Sequence, residues 1–144
     1  MLGKILSKED CKNCKFCCSF RRQSLWESPF KISAKYKTED ENEEIPCDFL
    51  DYKTGCTLSD GKKPFDCKIW PFRVMKDENE IFVTIATSCP AISKKDEKVL
   101  LNFLQSEILD KILDKLKENP QMIKPMHFGY KKILNITSNL YNFN

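Results

Sequence analysis

A chain of 144 residues has the length of one typical domain and can bury a substantial core. Its apolar share of 41% and charged share of 31% match an ordinary globular protein, and no apolar run is long enough to cross a membrane. The net charge of +3 is small and scattered, which argues against nucleic acid as a partner.

The first ten residues, MLGKILSKED, lack the features of a secretory signal, because charged residues interrupt the apolar ones and no small-residue cleavage site follows. We therefore expect a cytoplasmic location, where thiols are kept reduced. In that setting the eight cysteines of the chain indicate metal ligands rather than disulfides.

The first predicted element is a metal-binding loop, CKNCKFCC, at 11–18. Cys11, Cys14 and Cys17 follow the spacing C-x2-C-x2-C, which lets a tight loop direct successive thiolates toward one centre. Bacterial ferredoxins use this spacing. Zinc also accepts C-x2-C, usually in two separated pairs. The dense triplet therefore favours iron–sulfur for at least one centre and leaves zinc open.

A hairpin is predicted next. The acidic run EDENEE at 39–44 indicates a solvated loop. Residues 45–58 then alternate apolar and polar side chains around YKTG, which predicts a β-hairpin with Gly55 in its turn. This hairpin carries Cys47 and Cys56.

Two further cysteine motifs flank a predicted strand. The segment KPFDCKIWPF contains Cys67, and EIFVTIAT at 80–87 predicts a strand because it is rich in β-branched residues and follows the polar turn KDEN. After this strand, Cys89 and Pro90 supply the Cys-Pro pair that ferredoxins place after their cysteine triplet.

The strongest predicted helix covers 94–118. Ser93 and Asp96 resemble a capping box at its start, and Asn119 followed by Pro120 is expected to end it. Its apolar stripe repeats at helical spacing: Leu101, Leu104, Ile108, Ile112 and Leu116.

The tail, 121–144, leaves helix and strand open. Together these elements predict an α+β fold: a small cysteine-rich domain organised by metal, with short strands, a hairpin and a C-terminal amphipathic helix. We expect a single domain, 1–144, with a metal-binding region at 11–92 and a helical C-terminal part at 93–144.

The order of the cysteine motifs resembles that of a known family. C-x2-C-x2-C-C is followed by PCDFLD…GC, KPFDCKIWPF and SCP, and this order is similar to the zinc- or iron-chelating cysteine-cluster family, often called the CxxCxxCC family. The similarity covers residues 11–92. The family more often has Arg before the first proline of P-x2-C-x3-P, whereas this chain has Lys63, a departure that bears on any role needing a guanidinium fork.

The resemblance implies metal binding by all eight cysteines: Cys11, Cys14, Cys17, Cys18, Cys47, Cys56, Cys67 and Cys89. Four ligands suit both a cubane cluster and tetrahedral zinc, so eight thiols accommodate two centres. Consecutive side chains of an extended segment point to opposite sides, so the last two thiols of CKNCKFCC are predicted to serve different centres. The first centre is predicted to use Cys11, Cys14, Cys17 and Cys89. The second is predicted to use Cys18, Cys47, Cys56 and Cys67.

The predicted cofactor is an iron–sulfur cluster, [4Fe–4S], with zinc as a second or alternative metal. One hypothesis is an accessory protein for electron transfer, metal handling or sensing. A second is a cluster-dependent group-transfer enzyme or subunit, because one branch of the family is similar to flagellin lysine N-methylases that use S-adenosylmethionine. A third is a structural zinc module that presents an interaction surface to a protein partner.

Whether the chain is an enzyme is left open at this point. With only four glycines, it has no glycine-rich loop to hold an adenosyl cofactor, so a complete methylase is not expected. The expected partners are metal ions and a protein, without nucleic acid and without a membrane.

Several other residues close to the cysteine motifs have two interpretations. Three arginines are either solvated or salt-bridged surface residues or compensate the charge of an anionic metal centre: Arg21, Arg22 and Arg73. Three aromatic residues are predicted to form an apolar shell around the site: Trp26, Trp70 and Phe72. His127, the only histidine, is interpreted as a packing or surface residue rather than a catalytic base.

Overall fold

The structure is a computed structural model that describes residues 2, 4–6, 14, 19–21 and 44–141, with the backbone alone at 19–21 and 44. The strands of this part are β1 (Ser19–Arg21), β2 (Glu44–Pro46), β3 (Leu50–Asp51), β4 (Gly55–Cys56), β5 (Phe72–Asp77), β6 (Glu80–Ala86), β7 (Lys124–Pro125) and β8 (Tyr130–Asn135). Its α-helices are α1 (Phe65–Ile69), α2 (Pro90–Ser93), α3 (Glu97–Phe103), α4 (Leu109–Glu118) and α5 (Thr137–Tyr141). The presence of both helices and strands agrees with the α+β prediction.

The central sheet has four strands in the order β7-β5-β6-β8. β5 and β6 form an antiparallel hairpin in which Phe72 lies opposite Ile85 and Asp77 lies opposite Glu80. β8 is antiparallel to β6, and β7 is parallel to β5. The strand predicted at 80–87 is confirmed as β6, whereas its partner β5 was not predicted.

The C-terminal tail completes this sheet. Residues 130–135, in the segment for which the sequence left helix and strand open, form β8, and α5 follows. The side chain of Thr137 accepts a hydrogen bond from the backbone N–H of Ile81 at 2.8 Å, which joins the start of α5 to β6. The part from residue 93 onward therefore supplies two strands to the sheet in addition to its helices.

One face of the sheet packs against the helix made of α3 and α4. Phe72 and Val74 of β5 and Val83 and Ile85 of β6 belong to the same buried cluster as the apolar residues of this helix. The ring of Phe72 stacks on that of Phe103, with centroids 6.2 Å apart. This interface forms the larger of the two apolar cores in the described residues.

The long helix contains a π-helical segment, Leu104–Ile108, between α3 and α4. Five of its buried residues recur every four positions: Leu100, Leu104, Ile108, Ile112 and Leu116. Phe103 is buried beside them, whereas Leu101, which the predicted stripe included, is half-buried. On an ideal α-helix each four-residue step rotates the side chain about 40° past a full turn, so such a stripe drifts away from the core. The wider π turn takes up part of this rotation and keeps the stripe on the sheet.

The helix begins at a different residue from the one predicted. Asp96 is the N-cap, and its Oδ1 accepts a hydrogen bond from the backbone N–H of Lys98 at 2.8 Å. Ser93 instead ends α2, where its hydroxyl donates to the carbonyl of Pro90 at 3.3 Å. The capping-box prediction is wrong because Pro90 starts a separate short helix that includes Ser93. The helix ends at Glu118, and Asn119 caps it, as predicted.

The other face of the sheet is also buried. Side chains alternate along a strand, so Arg73 and Met75 lie on the face opposite Phe72 and Val74. Met75 and Tyr130 form a second buried cluster with Ala86. Strand β5 is therefore buried on both faces between residues 72 and 75.

The predicted hairpin at 45–58 is confirmed in its central part. Leu50 of β3 lies opposite Cys56 of β4, and Asp51 lies opposite Gly55. Asp51 closes the turn by accepting hydrogen bonds from the backbone N–H groups of Lys53 and Thr54, each at 2.8 Å. Gly55 has a φ of 90°, a left-handed conformation that glycine adopts without steric cost.

Candidate metal centre

The structure describes five of the eight predicted ligands. Their exposure differs, because Cys89 is buried, Cys14 and Cys47 are half-buried, and Cys56 and Cys67 are exposed. The remaining three lie outside the described residues: Cys11, Cys17 and Cys18.

The β3–β4 hairpin places Cys47 and Cys56 at the same end of the hairpin, opposite its turn. The backbone N–H of Leu50 donates to the carbonyl of Cys47 at 3.0 Å, which folds the chain into β3. Cys56 lies directly opposite Leu50. The ends of such a turn lie within about 7 Å and paired Cα atoms within about 5.5 Å, so the Cα atoms of Cys47 and Cys56 are within about 12 Å.

The motif P-x2-C-x3-P corresponds to helix α1 and its exit. The backbone N–H of Cys67 donates to the carbonyl of Pro64 at 3.0 Å, so the first proline and the cysteine form the first turn. The helix ends at Ile69, and the N–H of its C-cap, Trp70, donates to the carbonyl of Asp66 at 3.1 Å. Pro71 follows through a cis peptide bond and leads directly into β5.

Cys89 stands where β6 ends and α2 begins. It is the N-cap of α2, and Pro90 occupies the first helical position, where a missing N–H costs nothing. Its carbonyl accepts a hydrogen bond from the N–H of Ser93 at 3.0 Å. With 9% of its surface exposed, Cys89 belongs to the core cluster that includes Phe72.

Cys67 and Cys89 lie toward the same end of the central sheet. Because Phe72 pairs with Ile85, the chain enters β5 and leaves β6 at that end. The N–H of Ala86 also donates to the carbonyl of Pro71 at 2.9 Å, which extends the pairing by one step. Cys67 and Cys89, with 21 residues between them in the sequence, are thus brought to the same end of the sheet by the β5–β6 hairpin.

The ladder between β1 and β2 connects the first cysteine motif with the hairpin. Ser19 pairs with Pro46, and Arg21 pairs with Glu44. Ser19 directly follows Cys18 in sequence, and Pro46 directly precedes Cys47. Cys18 itself lies outside the described residues.

The segment before the first motif is attached to the core. Ile5 is 9% exposed and belongs to the cluster of the sheet and the long helix. Lys4 donates from its ammonium group to Glu107 Oε1 at 2.6 Å, in an ion pair that is open to solvent. Such a pair adds little stability. The apolar side chains of Leu2, Ile5 and Leu6 also pack on this core and attach the segment to it.

Within the described ranges, no three Cys, His, Asp or Glu residues form a group that could hold a metal ion. Cys47, Cys56 and Cys67 therefore do not form a three-ligand set. The chemistry of the thiols suits zinc or an iron–sulfur cluster. The β3–β4 hairpin brings Cys47 near Cys56, and the register of β5 and β6 places Cys67 and Cys89 at the same end of the sheet. The division into two centres stays a prediction, since it depends on ligands outside these ranges.

The aromatic residues near the motifs occupy different cores. Phe72 lies in the core shared with Cys89, between the sheet and the long helix. Trp70 packs on the other face, where its ring meets that of Tyr130 edge-on at 6.4 Å. Trp26 lies outside the described residues, so the predicted shell is tested only in part.

Of the three arginines named above, Arg73 is the one whose side chain is described. It is 4% exposed, and its Cζ lies 5.8 Å from the centre of the Trp70 ring. Beside it, Thr84 is fully buried and donates its hydroxyl to the carbonyl of Arg73 at 2.9 Å. Thr84 was not singled out from the sequence, because its neighbours in EIFVTIAT all read simply as strand residues.

His127 has a packing role in the structure. Its ring stacks on Phe128 at 4.3 Å, and its Nδ1 accepts a hydrogen bond from the N–H of Gly129 at 3.2 Å. These contacts shape the turn before β8, in agreement with the interpretation as a packing residue.

No family model, curated protein or solved structure matches the chain. Across the described residues, every helix is too short or too polar to span a lipid bilayer.

Proposed function

We propose that this chain is a cysteine-ligated metal protein that holds a [4Fe–4S] cluster and acts as an accessory protein in electron transfer, metal handling or sensing. The observation that carries the proposal is the β1–β2 ladder. Its pairing of Ser19 with Pro46 ties the segment after CKNCKFCC to the segment before Cys47.

The chain's covalent geometry relates this ladder to the positions of two proposed ligands, Cys18 and Cys47. Neighbouring Cα atoms are about 3.8 Å apart, so Cys18 stays close to Ser19 and Cys47 stays close to Pro46. Each of the two cysteines is therefore one residue along the chain from the Ser19–Pro46 pair. This register supports the assignment of both cysteines to one centre.

The second support is the end of the sheet where Cys67 and Cys89 lie. The hydrogen bond from the N–H of Ala86 to the carbonyl of Pro71 joins the segments that lead to these two cysteines. In this proposal, each centre receives one ligand from this end of the sheet, Cys89 for the first and Cys67 for the second. The central sheet then serves as the rigid base on which both centres are built.

In this proposal the chain's own residues bind the metal and exclude water from one side of it. The proposed ligands of the cluster are Cys11, Cys14, Cys17 and Cys89. When bound, a [4Fe–4S] cluster can accept and release single electrons. The burial of Cys89 and the adjacent Phe72 gives one side of this centre an apolar environment, which controls solvent access and tunes the potential.

Zinc is the second candidate metal, for the centre assigned to Cys18, Cys47, Cys56 and Cys67, whose three described thiols would have to converge as the metal binds. The exposure of Cys56 and Cys67 favours it. A zinc–thiolate site has no redox chemistry to protect from solvent, and four-cysteine coordination is typical of structural zinc. This centre would be structural and would hold the hairpin to α1.

Anaerobic purification followed by analysis of iron, zinc and acid-labile sulfide tests the proposal. We expect brown protein with absorbance near about 400 nm and about four iron and four sulfide per chain, with or without one zinc. Colourless protein with zinc alone would support a structural zinc module instead. Protein without stoichiometric metal would refute metal binding.

Calorimetry with S-adenosylmethionine should show no binding by the metal-loaded chain, and tight binding would favour a group-transfer role.

The division of ligands is tested by Cys14→Ser and Cys18→Ser, each analysed for iron, zinc and sulfide. Cys14→Ser should lose the iron and sulfide, and Cys18→Ser should lose the metal of the other centre. If both variants lost the same centre and kept the other, the proposed division of the cysteines between two centres would be wrong. Metal binding itself would still be supported.

A further inference from the structure

Two threonines beside proposed ligands make the same pair of hydrogen bonds. Thr57 donates both its backbone N–H and its hydroxyl to the carbonyl of Phe49, at 2.8 and 2.9 Å. Thr87 donates the same two groups to the carbonyl of Gly129, each at 3.0 Å. A carbonyl oxygen has two lone pairs and can accept both bonds. Both threonines are exposed, so neither hydroxyl needs a protein partner to avoid a cost of burial.

Thr57 connects the segments that carry the two thiols of the hairpin. It directly follows Cys56, which pairs with Leu50. Its acceptor, Phe49, lies in the turn that is closed by the hydrogen bond from the N–H of Leu50 to the carbonyl of Cys47. The two bonds of Thr57 therefore join the strand that carries Cys56 to the turn that begins at Cys47. They limit the movement of one cysteine's backbone relative to the other's.

Thr87 has the corresponding place beside Cys89, which lies two residues further along the chain. The N–H of Cys89 donates to the carbonyl of Ala86 at 3.4 Å, so a turn from Ala86 to Cys89 contains Thr87. Gly129, which accepts both bonds of Thr87, directly precedes β8, whose first residue, Tyr130, pairs with Ala86. The bonds of Thr87 thus extend the pairing of β6 with β8 into the turn that ends at Cys89.

A threonine hydroxyl is well suited to fixing a backbone in this way. Its β-branched side chain has few χ1 rotamers, so the hydroxyl adds a stiff second constraint to the backbone bond. At an exposed site this bond contributes little to overall stability. A metal site, in contrast, depends on ligands that are held close to their bound geometry, and residues that orient ligands raise metal affinity.

We propose that Thr57 and Thr87 are positioning residues of the two thiolate centres. Thr57 fixes Cys56 relative to Cys47 in the second centre, and Thr87 fixes the turn that ends at Cys89 in the first. This inference rests on the proposed metal-binding function. Each hydroxyl reduces the backbone freedom that a ligand loses when the metal binds, so each threonine raises the affinity of its own centre.

The test replaces each threonine with valine, which has a similar shape and keeps the backbone N–H but lacks the hydroxyl. Anaerobically prepared protein is titrated with a chelator, and the release of iron and of zinc is followed separately. Thr57→Val should weaken metal retention at the second centre about two- to tenfold, the range that one hydrogen bond contributes, and leave the first centre unchanged. Thr87→Val should weaken the first centre by a similar factor and leave the second unchanged.

Three further variants serve as controls. Thr57→Ser and Thr87→Ser keep the hydroxyl and should restore metal retention. Thr54→Val should match the unaltered protein, because the hydrogen bond described for Thr54 uses its backbone N–H. Each valine variant stripped of metal should unfold at the same temperature as the unaltered stripped protein, since an exposed substitution changes stability little.

Valine variants that retain metal like the unaltered protein, or that weaken both centres equally, would overturn the inference. Serine variants as weak as the valine variants would also overturn it, because the hydroxyl would then not be the cause. Unaltered protein that holds no metal would instead refute the proposed function, and this inference with it.

Discussion

The β5–β6 and β3–β4 pairs are both antiparallel hairpins, yet they differ in length and burial. β5 and β6 share six residue pairs and bury side chains on both faces, whereas β3 and β4 share two pairs. Between residues 47 and 58 every residue is exposed or half-buried. An isolated two-stranded hairpin is marginal in water. The comparison shows that apolar burial stabilises the sheet and helix, and on the proposed function the bound metal would cross-link the cysteine-bearing hairpin.

The largest expected effect comes from removing a ligand of the hairpin. Cys56→Ser should abolish the second centre and leave the β3–β4 hairpin unprotected from proteolysis, while the sheet stays folded. Structural zinc sites contribute on the order of 10 kcal/mol of folding free energy, so the local effect should be severe. The measurement is metal content together with limited proteolysis.

Thr54→Ser, an exposed substitution in the same turn, is the matched control and should keep full metal content. If Cys56→Ser retained both its metal and its resistance to proteolysis, the hairpin would not depend on this thiol.

A core substitution in the long helix should have the opposite outcome, a loss of stability with no loss of metal. Ile112 is fully buried in the core between sheet and helix. Ile112→Ala should cost about 2–5 kcal/mol of unfolding free energy, through lost burial and the cavity left behind. Denaturant unfolding measures this cost, and the metal content should not change.

Asp110→Ala, on the exposed side of the same helix, is its control and should change stability by less than about 0.5 kcal/mol. Loss of metal in Ile112→Ala at a temperature where the helix stays folded would show that the two regions are not independent.

A smaller effect is expected at the turn of the β3–β4 hairpin. Gly55 has a φ of 90° and no atom within 4 Å of an added Cβ, so Gly55→Ala is opposed by backbone strain alone. We expect a loss of about 1–2 kcal/mol, visible as weaker protection of the hairpin amides. Gly61→Ala also meets no atom within 4 Å and needs no left-handed backbone, so it should be neutral. Equal effects of the two substitutions would argue against the turn geometry.

The smallest effect distinguishes the two candidate helix caps. Asp96→Ala should cost about 1 kcal/mol, because Asp96 accepts the hydrogen bond of the Lys98 N–H. Ser93→Ala should cost less than about 0.5 kcal/mol, since that hydroxyl makes an exposed contact at 3.3 Å. Thermal unfolding of both variants measures the difference. A larger loss in Ser93→Ala would restore the capping box expected from the sequence.

Local sequence signals were sufficient for elements with strong patterns of their own. The β-branched run at 80–87 and the glycine turn at 55 identified β6 and the β3–β4 hairpin. Strand β5 was missed because Phe72 and Val74 alternate with Arg73 and Met75, and all four are buried. Such a strand, covered on both faces, has no polar alternation for a sequence pattern to reveal.

Prediction of the candidate site from the sequence has the same limit. The thiols could be identified from their spacing, but the pairing of Ser19 with Pro46 and the shared sheet end of Cys67 and Cys89 depend on strand register. Register is fixed by contacts between distant segments, which a local pattern does not contain. The burial of Arg73 was hidden for the same reason, since an arginine next to a proline-rich motif reads equally well as a surface residue.

Amide hydrogen exchange with and without chelator tests the central claim most directly. The comparison is between residues 50–56 of the hairpin and residues 97–118 of the long helix in the same anaerobic sample. We predict that removing the metal abolishes protection in the hairpin and leaves the helix within about tenfold of its original exchange rates. Equal loss of protection in both regions, or no loss in either, would contradict the account.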